Sequence, residues 1–275
     1  MSRLSQVFSD LKSGKRKALI PYVVAGDPSP EGTVSLLHSL VDAGADILEL
    51  GVPFSDPMSE GTVIQKGHER ALANGMSLQR VLGMVAEFRK DNERTPIVMM
   101  GYANPIERFG YKAFAAASAK AGVDGLITVD LPPEEVDAID GALKAVGLDN
   151  IFLISPTTPE PRAQKIVERA RGFIYYVAVK GVTGSGQLDT DEVARSVSLI
   201  REKTALPIAV GFGIKDAASA SAVAASADAV VVGSALIAEM EEKAHSAEGL
   251  EEIQIHGAAV QLLQSIRAGV DSSRS

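Results

Sequence analysis

The stretch Asp46-Ile-Leu-Glu-Leu-Gly51 sets the pattern that decides the fold: a short, continuous apolar run interrupted by one carboxylate, that of Glu49. Runs without polar alternation are typical of strands buried on both faces of a parallel sheet. The next segment, Val52-Pro-Phe-Ser-Asp-Pro-Met-Ser-Glu60, is rich in turn residues and supplies a second carboxylate. A carboxylate in apolar surroundings is costly to bury unless it is paired or works with a shifted pKa. The two glutamates are therefore the first candidates for chemistry.

Similar apolar runs recur along the 275 residues, and helical patterns follow them. The predicted strands are Ala18–Val24, Asp46–Gly51, Ile97–Gly101, Gly125–Val129, Ile151–Ile154, Phe173–Ala178, Ile208–Val210 and Ala229–Val232. The main predicted helices are Pro30–Ala43, Gln79–Lys90, Tyr111–Ala121, Glu134–Val146, Pro159–Ala170, Thr190–Lys203, Ala217–Ala225 and Leu250–Arg267. Extra helices are predicted near Leu4–Lys12, before the first strand, and near Ala235–Lys243, after the eighth.

Eight strand–helix units without a break in composition favour a single-domain (β/α)₈ TIM barrel over residues 1–275. The first helix is expected to close the bottom of the barrel. An open doubly wound sheet is the alternative if one strand is misassigned. In a TIM barrel the active site lies at the carboxyl ends of the strands, and Glu49 is at such an end.

Composition limits the classes of function. The net charge of −8 argues against broad contact with nucleic acid or a membrane surface, although backbone N–H groups can still bind an anionic substrate. The absence of cysteine excludes disulfides, thiolate catalysis and zinc–sulfur sites. The histidines lie in helical segments without metal-ligand spacing, so we predict surface or hydrogen-bonded side chains and no metal site; they are His38, His68, His245 and His256. No signal peptide or membrane-spanning run is recognised, which predicts a soluble, cytoplasmic protein.

Two glycine loops follow strands seven and eight. They read Gly211-Phe-Gly-Ile-Lys-Asp216 and Gly233-Ser-Ala-Leu-Ile237. TIM barrels commonly bind phosphate between these loops and the amino end of a short extra helix. We therefore predict phosphate binding at Gly211, Gly213, Gly233 and Ser234, and ordinary strand-to-helix turns are the alternative.

A third glycine-rich segment, Lys180-Gly-Val-Thr-Gly-Ser-Gly186, follows strand six. Its backbone freedom suits a lid that closes over substrate, with Thr183 and Gly184 nearest the ligand. A simple long loop is the alternative. Lys180 also raises the possibility of a Schiff-base aldolase, which requires a desolvated lysine.

Five segments together resemble the tryptophan synthase alpha subunit family, in the family's order and over almost the whole chain. They are Ala18-Leu-Ile-Pro-Tyr-Val-Val-Ala-Gly-Asp-Pro28, Glu49-Leu-Gly-Val-Pro-Phe-Ser-Asp-Pro57, Gly172-Phe-Ile-Tyr-Tyr-Val177, Gly181-Val-Thr-Gly184 and Pro207-Ile-Ala-Val-Gly-Phe-Gly-Ile214. The resemblance implies a TIM-barrel lyase that cleaves indole-3-glycerol phosphate to indole and glyceraldehyde 3-phosphate, without a cofactor in this chain.

The resemblance assigns the two catalytic acids to Glu49 and Glu60. Glu60 departs from the family, which usually has Asp in an Ala-Asp-Gly-Pro context, whereas this chain reads Ser59-Glu60-Gly61-Thr62. The extra methylene puts the reach of Glu60 to the indole in question, and a solvated loop residue is the alternative. An apolar slot for the indole is expected at the strand ends, where ordinary core packing is the competing interpretation. Its expected residues are Tyr22, Met100, Ile127 and Phe212, with Tyr175 as a further substrate-binding residue.

The resemblance also implies a partner, a beta subunit that uses pyridoxal phosphate within an α₂β₂ heterotetramer. The loop around Pro53–Glu60 and the Lys180–Gly186 lid would meet this subunit, with Asp56 as the polar contact. Two alternatives remain from the sequence: a mainly regulatory barrel subunit, for which the unusual Glu60 is the support, and a standalone lyase that releases free indole.

Overall fold

A computed structural model describes residues 2–178, 189–211, 213–246 and 252–273 of the chain. Eight parallel strands close into a barrel in the order β1 to β8, which confirms the predicted fold class. The strands are β1 Ala18–Val24, β2 Leu48–Gly51, β3 Ile97–Gly101, β4 Gly125–Thr128, β5 Asp149–Ile154, β6 Ile174–Val177, β7 Ile208–Gly211 and β8 Ala229–Val232. The single-domain organisation over residues 1–275 stays a prediction.

The helices surround this barrel. They are α1 Arg3–Ser13, α2 Thr33–Asp42, α3 Thr62–Ala73, α4 Leu78–Phe88, α5 Ala103–Phe109, α6 Tyr111–Ala121, α7 Asp137–Ala145, α8 Glu160–Arg169, α9 Thr190–Arg201, α10 Ala217–Ala224, α11 Ser234–Ser246 and α12 Glu252–Ser272. The main predicted helices did not include α3 and α5. Both have a weak apolar stripe: α3 buries only Gly67, His68 and Ala71, and α5 buries only Ile106. Hydrophobic periodicity therefore gives little signal for them.

Several predicted boundaries were wrong by a few residues, with β2 as the clearest case. It begins at Leu48 instead of Asp46, because the Asp46 carboxylate accepts hydrogen bonds from the Leu19 N–H and from Arg267. At the carboxyl-terminal helix, the prediction ended at Arg267, whereas α12 continues to Ser272. These differences leave the strand order unchanged.

Helix α1 closes the amino-terminal end of the barrel, as predicted. Its side chains Leu4, Phe8 and Leu11 are buried in the same cluster as the inward-facing strand residues. The rings of Phe8 and Phe173 lie 5.8 Å apart between centroids. Ser2 caps the helix by accepting a hydrogen bond from the Ser5 N–H. The barrel interior at this end is therefore a packed core.

The charged side chains at the amino-terminal end have structural roles. Asp124 accepts hydrogen bonds from Arg3, Arg89 and the Ile97 N–H at 2.8 to 2.9 Å. These contacts tie neighbouring strands and helices together, as expected for the end of a barrel remote from the site. Among the described residues, no helix is both long and apolar enough to cross a membrane. The cytoplasmic location stays a prediction.

Candidate active site

The inward-facing side chains near the carboxyl ends of the strands form the floor of the site. In a strand, every second residue points to the same face, and Ile47 of the preceding turn lies in the interior cluster. Glu49 therefore points into the barrel. Its register partners are Tyr22 on β1 and Val98 on β3, so both neighbouring strands hold its backbone.

Glu49 is 1% exposed, and neither of its carboxylate oxygens makes a hydrogen bond within the described part of the chain. The other two fully buried acids among these residues are paired: Asp27 with Arg70, and Asp124 with Arg3 and Arg89. A buried carboxylate without a partner is costly, which makes Glu49 a functional candidate.

The electrostatic surroundings favour the protonated form of Glu49. Burial, followed by the nearby charge of Glu60, raises the pKa of Glu49 to about 8. Burial also raises the pKa of Glu60 to about 7. At neutral pH the first group holds a proton while the second is close to its midpoint. Two carboxyl groups with separated pKa values are the usual arrangement for acid and base roles.

The Glu60 loop packs against Tyr102, which is 2% exposed at the end of β3. The rings of Phe54 and Tyr102 are stacked with centroids 5.0 Å apart. The Ser59 N–H donates to the Tyr102 hydroxyl at 3.3 Å, and the Glu60 N–H donates to the Pro57 carbonyl at 3.0 Å. These contacts hold the loop over the barrel mouth with Glu60 half-buried.

Two tyrosines of the site, the buried Tyr22 and the partly buried Tyr175, each lie against a glycine. A Cβ atom on Gly51 would lie 2.4 Å from the Tyr22 hydroxyl oxygen, and one on Gly211 would lie 2.2 Å from that of Tyr175. The pKa of Tyr22 is raised by burial and then by Glu60 and Glu49; that of Tyr175 is raised by burial and then by Glu49 and Glu60. The charges of both carboxylates therefore act on both hydroxyls.

The predicted phosphate end is formed by the residues after β7 and β8. Gly213 has a φ of 77°, a left-handed conformation that glycine adopts without strain. Gly233 precedes α11, and its carbonyl accepts from the Leu236 N–H at 2.9 Å. The first N–H groups of a helix lack partners within the helix and favour anions. Ser234, the first residue of α11, is exposed at this end.

The other predicted site residues fall into two groups. Met100 and Ile127 pair in register on β3 and β4 and line the interior next to Glu49. Asp56 is exposed, and the Ser55 hydroxyl donates to it at 2.6 Å. Four predicted positions lie outside the described residues, together with the Lys180–Gly186 lid; they are Lys180, Thr183, Gly184 and Phe212.

Two residues of the site were not identified as such from the sequence. His68 was interpreted as a surface or hydrogen-bonded histidine, and it is buried with hydrogen-bonding contacts to Tyr22 and Phe54. Tyr102 is absent from the predicted site residues, yet it supports the Glu60 loop. The position of Tyr102 after β3 was an available signal, whereas His68 lies on a helix that hydrophobic periodicity indicates poorly.

The geometry combines a protonatable carboxyl, a second carboxylate and a helix amino terminus around one opening. Across the described ranges, no group of three or more His, Cys, Asp or Glu side chains could hold a metal ion. The arrangement supports acid–base chemistry on a small anionic substrate with an apolar part.

Comparison with known proteins relates the chain to one family. A family profile described as Tryptophan synthase alpha chain matches residues 8–264. The chain is 55% identical to the tryptophan synthase alpha chain of Thiobacillus denitrificans, over 99% of this chain and 97% of that protein. It is 58% identical to the one from Chromobacterium violaceum, over 88% and 91% respectively.

A solved structure agrees with these relatives. The crystal structure of tryptophan synthase subunit alpha from Legionella pneumophila has a TM-score of 0.91 and 44% identity to the chain, with 99% of each chain covered. The similarity therefore extends through the whole barrel.

Proposed function

Because the chain belongs to the tryptophan synthase alpha chain family, we propose that it cleaves indole-3-glycerol phosphate to indole and glyceraldehyde 3-phosphate by a retro-aldol route. The chain is a lyase and the alpha subunit in tryptophan biosynthesis. The specific reaction is supported above all by one observation: Glu49 is buried, has no hydrogen bond in the described structure and carries a pKa raised to about 8.

The first step is protonation of the indole ring. Protonated Glu49 delivers its proton to C3, which turns the ring into an electron-accepting iminium with its positive charge shared by the ring nitrogen. Glu60, as the carboxylate, accepts the hydrogen bond of the ring N–H and stabilises that charge. The reaction needs Glu49 protonated and Glu60 ionised, and the order of their pKa values, about 8 and about 7, supports this pair of states.

The second step breaks the carbon–carbon bond. Ionised Glu49 removes the proton of the hydroxyl on the carbon attached to C3. That oxygen forms a carbonyl, the bond to C3 breaks, and its electron pair returns to the ring. Cleavage itself restores aromaticity, because the electron pair forms the C2–C3 double bond and neutralises the iminium nitrogen. The proton added to C3 stays as the C3 hydrogen of indole, so the net change is transfer of one proton from the hydroxyl to C3. Glu49 ends the cycle protonated again.

The remaining site residues bind and orient the substrate. The phosphate is held by backbone N–H groups at Gly213 and at the Gly233–Ser234 start of α11, where the helix dipole favours an anion. The indole lies against Met100 and Ile127, which supply apolar surface. Tyr22 and Tyr175 bind the substrate between these two ends of the site, and the lack of a side chain at Gly51 and Gly211 leaves room for their rings.

The partner is a tryptophan synthase beta subunit, which carries pyridoxal phosphate and uses the indole released here. The loop between Phe54 and Glu60 supplies the contact surface, because Asp56 is exposed and Met58 is 74% exposed. The assembly is an α₂β₂ heterotetramer without a cofactor in this chain.

Turnover of indole-3-glycerol phosphate tests the proposal. The full chain is assayed with and without the beta subunit, and indole and glyceraldehyde 3-phosphate are quantified separately. We expect the complex to form glyceraldehyde 3-phosphate in an amount equal to the indole released, counting the indole that the beta subunit consumes. The regulatory alternative requires no cleavage even with the partner, and the standalone alternative requires full activity without it.

Borohydride trapping with a triose phosphate tests the aldolase alternative. A covalent adduct on Lys180 would support that alternative and reject the lyase mechanism.

A further inference from the structure

Helix α3 carries a buried histidine that contacts both the Glu60 loop and the barrel wall. His68 is 1% exposed. Its Nδ1 accepts a hydrogen bond from the Phe54 backbone N–H at 3.0 Å, and its Nε2 lies 3.3 Å from the Tyr22 hydroxyl oxygen. Phe54 belongs to the loop that ends at Glu60, and Tyr22 is the register partner of Glu49. The imidazole ring of His68 therefore contacts both the loop that carries Glu60 and the strand residue next to Glu49.

The Phe54 contact determines the tautomer of the ring. A backbone N–H can only donate, so Nδ1 of His68 must present its lone pair. Burial lowers the pKa of His68 to about 4, which keeps the ring neutral near pH 7. A neutral imidazole has one N–H group, so a ring whose Nδ1 is unprotonated carries its hydrogen on Nε2. The Nε2–H therefore donates to the oxygen of Tyr22, and the hydroxyl hydrogen of Tyr22 is left for another acceptor.

Glu49 is the register partner of Tyr22 on the adjacent strand and both residues are buried, so the Glu49 carboxylate is an acceptor on the same side of the barrel wall. After burial, the charges of Glu60 and Glu49 are the largest influences that raise the pKa of Tyr22. The Glu49 oxygens make no hydrogen bond within the described residues. Ionised Glu49 is the state that needs a donor, because a buried carboxylate without one bears its full desolvation cost.

Helix α3 is held firmly enough to position His68. Two residues along the helix, Arg70 makes a bidentate pair with buried Asp27, at 2.6 and 3.0 Å, and contacts Glu241 of α11 at 3.2 Å. A Cβ atom on Gly67 would lie 2.9 Å from a carboxylate oxygen of Asp27, so α3 lies close to the loop that follows β1. A residue on a helix tied to two neighbouring elements keeps a defined geometry.

The geometry points to His68 as a positioning residue for the cleavage: it anchors the Phe54–Glu60 loop and orients the Tyr22 hydroxyl hydrogen toward the Glu49 carboxylate. The inference rests on the proposed function. Tyr22 then stabilises Glu49 in the interval between the two proton transfers, when Glu49 is an anion. His68 itself touches no reacting atom.

Three variants separate the two contacts of His68, and kcat and KM are measured in the complex with the beta subunit. His68→Leu removes both contacts; His68→Asn keeps an acceptor near the Nδ1 position and loses the donor to Tyr22; Tyr22→Phe removes the hydroxyl. We expect His68→Leu to lower kcat by about 10- to 100-fold with KM within about threefold. Misplacement of the Glu60 loop and of the Tyr22 hydroxyl affects the reacting groups more than the phosphate site. His68→Asn should have an intermediate effect.

The pH profile of kcat distinguishes loss of the donor to Glu49 from a general disturbance of the fold. Loss of the donor disfavours ionised Glu49, so the alkaline limb of the kcat profile should move to higher pH by about one unit in both His68→Asn and Tyr22→Phe. The other groups that face Glu49, Glu60 and Tyr175, are unchanged in these variants. The double variant should show no further shift beyond either single one.

The matched control is His38→Asn. His38 lies on α2 and stacks on Phe88 at 4.6 Å, outside the barrel, so its replacement should leave the alkaline limb unmoved. The inference is overturned if His68→Asn and Tyr22→Phe keep the wild-type limb and rate. It is also overturned if ¹⁵N NMR of the histidine rings in the full wild-type chain places the His68 hydrogen on Nδ1, a result that does not depend on any variant folding. Absence of turnover in the wild-type complex would instead reject the proposed function and leave the NMR test standing.

Discussion

Tyr22 and Glu49 are register partners on adjacent parallel strands, and both side chains are buried in the barrel. The pair brings a hydroxyl next to a carboxyl whose oxygens make no hydrogen bond within the described structure. The charge of Glu60 acts on both groups, since it raises the pKa of each after burial has done so. The ionisation of Glu49 should therefore affect both the free energy of unfolding and the rate of turnover.

Glu49→Gln should abolish turnover and change how stability depends on pH. The folded-state pKa of Glu49, about 8, lies above its ordinary value of 4.5. Its protonated form is therefore favoured by folding: the stabilising contribution is complete below pH 4.5 and is lost as pH rises through about 8. Wild type should lose stability relative to the variant between these limits, by up to about 1.4 kcal/mol per pH unit.

Urea unfolding at pH 5, 7 and 9 measures this difference. The surface variant Glu31→Gln is the control and should show a constant difference from wild type. If the stability difference of Glu49→Gln is the same at pH 5 and pH 9, the raised pKa is wrong.

The pH dependence of kcat in the complex should be bell-shaped. Activity should fall below about pH 7, where Glu60 becomes protonated, and above about pH 8, where Glu49 ionises. Because the two groups interact, the limbs are properties of the pair. In Glu60→Gln the nearby charge is removed, so the alkaline limb should move to lower pH. A limb that stays in place would mean that Glu60 does not act on Glu49.

Glu60→Asp should keep or increase activity in the complex. The shorter side chain restores the residue that the family usually has, and the loop contacts with Tyr102 involve Ser59 and Phe54, which are unchanged. Steady-state kinetics with the beta subunit measures the effect, and Glu60→Ala provides the comparison without a carboxylate. A loss of activity as large as that of Glu60→Ala would show that the chain depends on the extra methylene.

Gly51→Ala should damage the site. The new methyl group would lie 2.4 Å from the Tyr22 hydroxyl oxygen, so the ring must move. We expect kcat to fall by about 10- to 100-fold and stability by about 1–3 kcal/mol. Gly83→Ala is the matched control, since it is exposed on α4 with nothing within 4 Å of the added atom. That change should stabilise the protein by about 0.5–1 kcal/mol, and equal effects from both would contradict the predicted crowding.

Arg70→Ala should destabilise the chain by about 3–5 kcal/mol, because it leaves Asp27 buried without its partner. Chemical unfolding at pH 7 measures the loss. Adding Asp27→Asn should recover part of it, since the uncompensated charge is then removed. Lys90→Ala breaks the exposed pair with Glu87 and should change stability little. A small effect of Arg70→Ala would show that Asp27 is solvated.

The sequence by itself determined the barrel and the place of Glu49. Eight apolar runs with intervening helices leave few arrangements, because each strand must be covered on both faces and parallel strands need crossover connections. Chain order then places Glu49 at the carboxyl end of the second strand, where the site of a TIM barrel lies; that its side chain points inward was decided by the structure, in which Ile47 belongs to the interior cluster. The two glycine loops were identifiable for a similar reason, since their position in consecutive units is a property of chain order.

Only the tertiary structure decided the partners of these residues. The pairing of Tyr22 with Glu49 depends on register, the support of the Glu60 loop by Tyr102 depends on ring packing, and the link through His68 depends on how α3 lies against β1. Helix α3 has little apolar periodicity because it buries a glycine, a histidine and an alanine. Contacts between side chains distant in sequence are set by packing and hydrogen bonding in the folded state, and no local pattern records them.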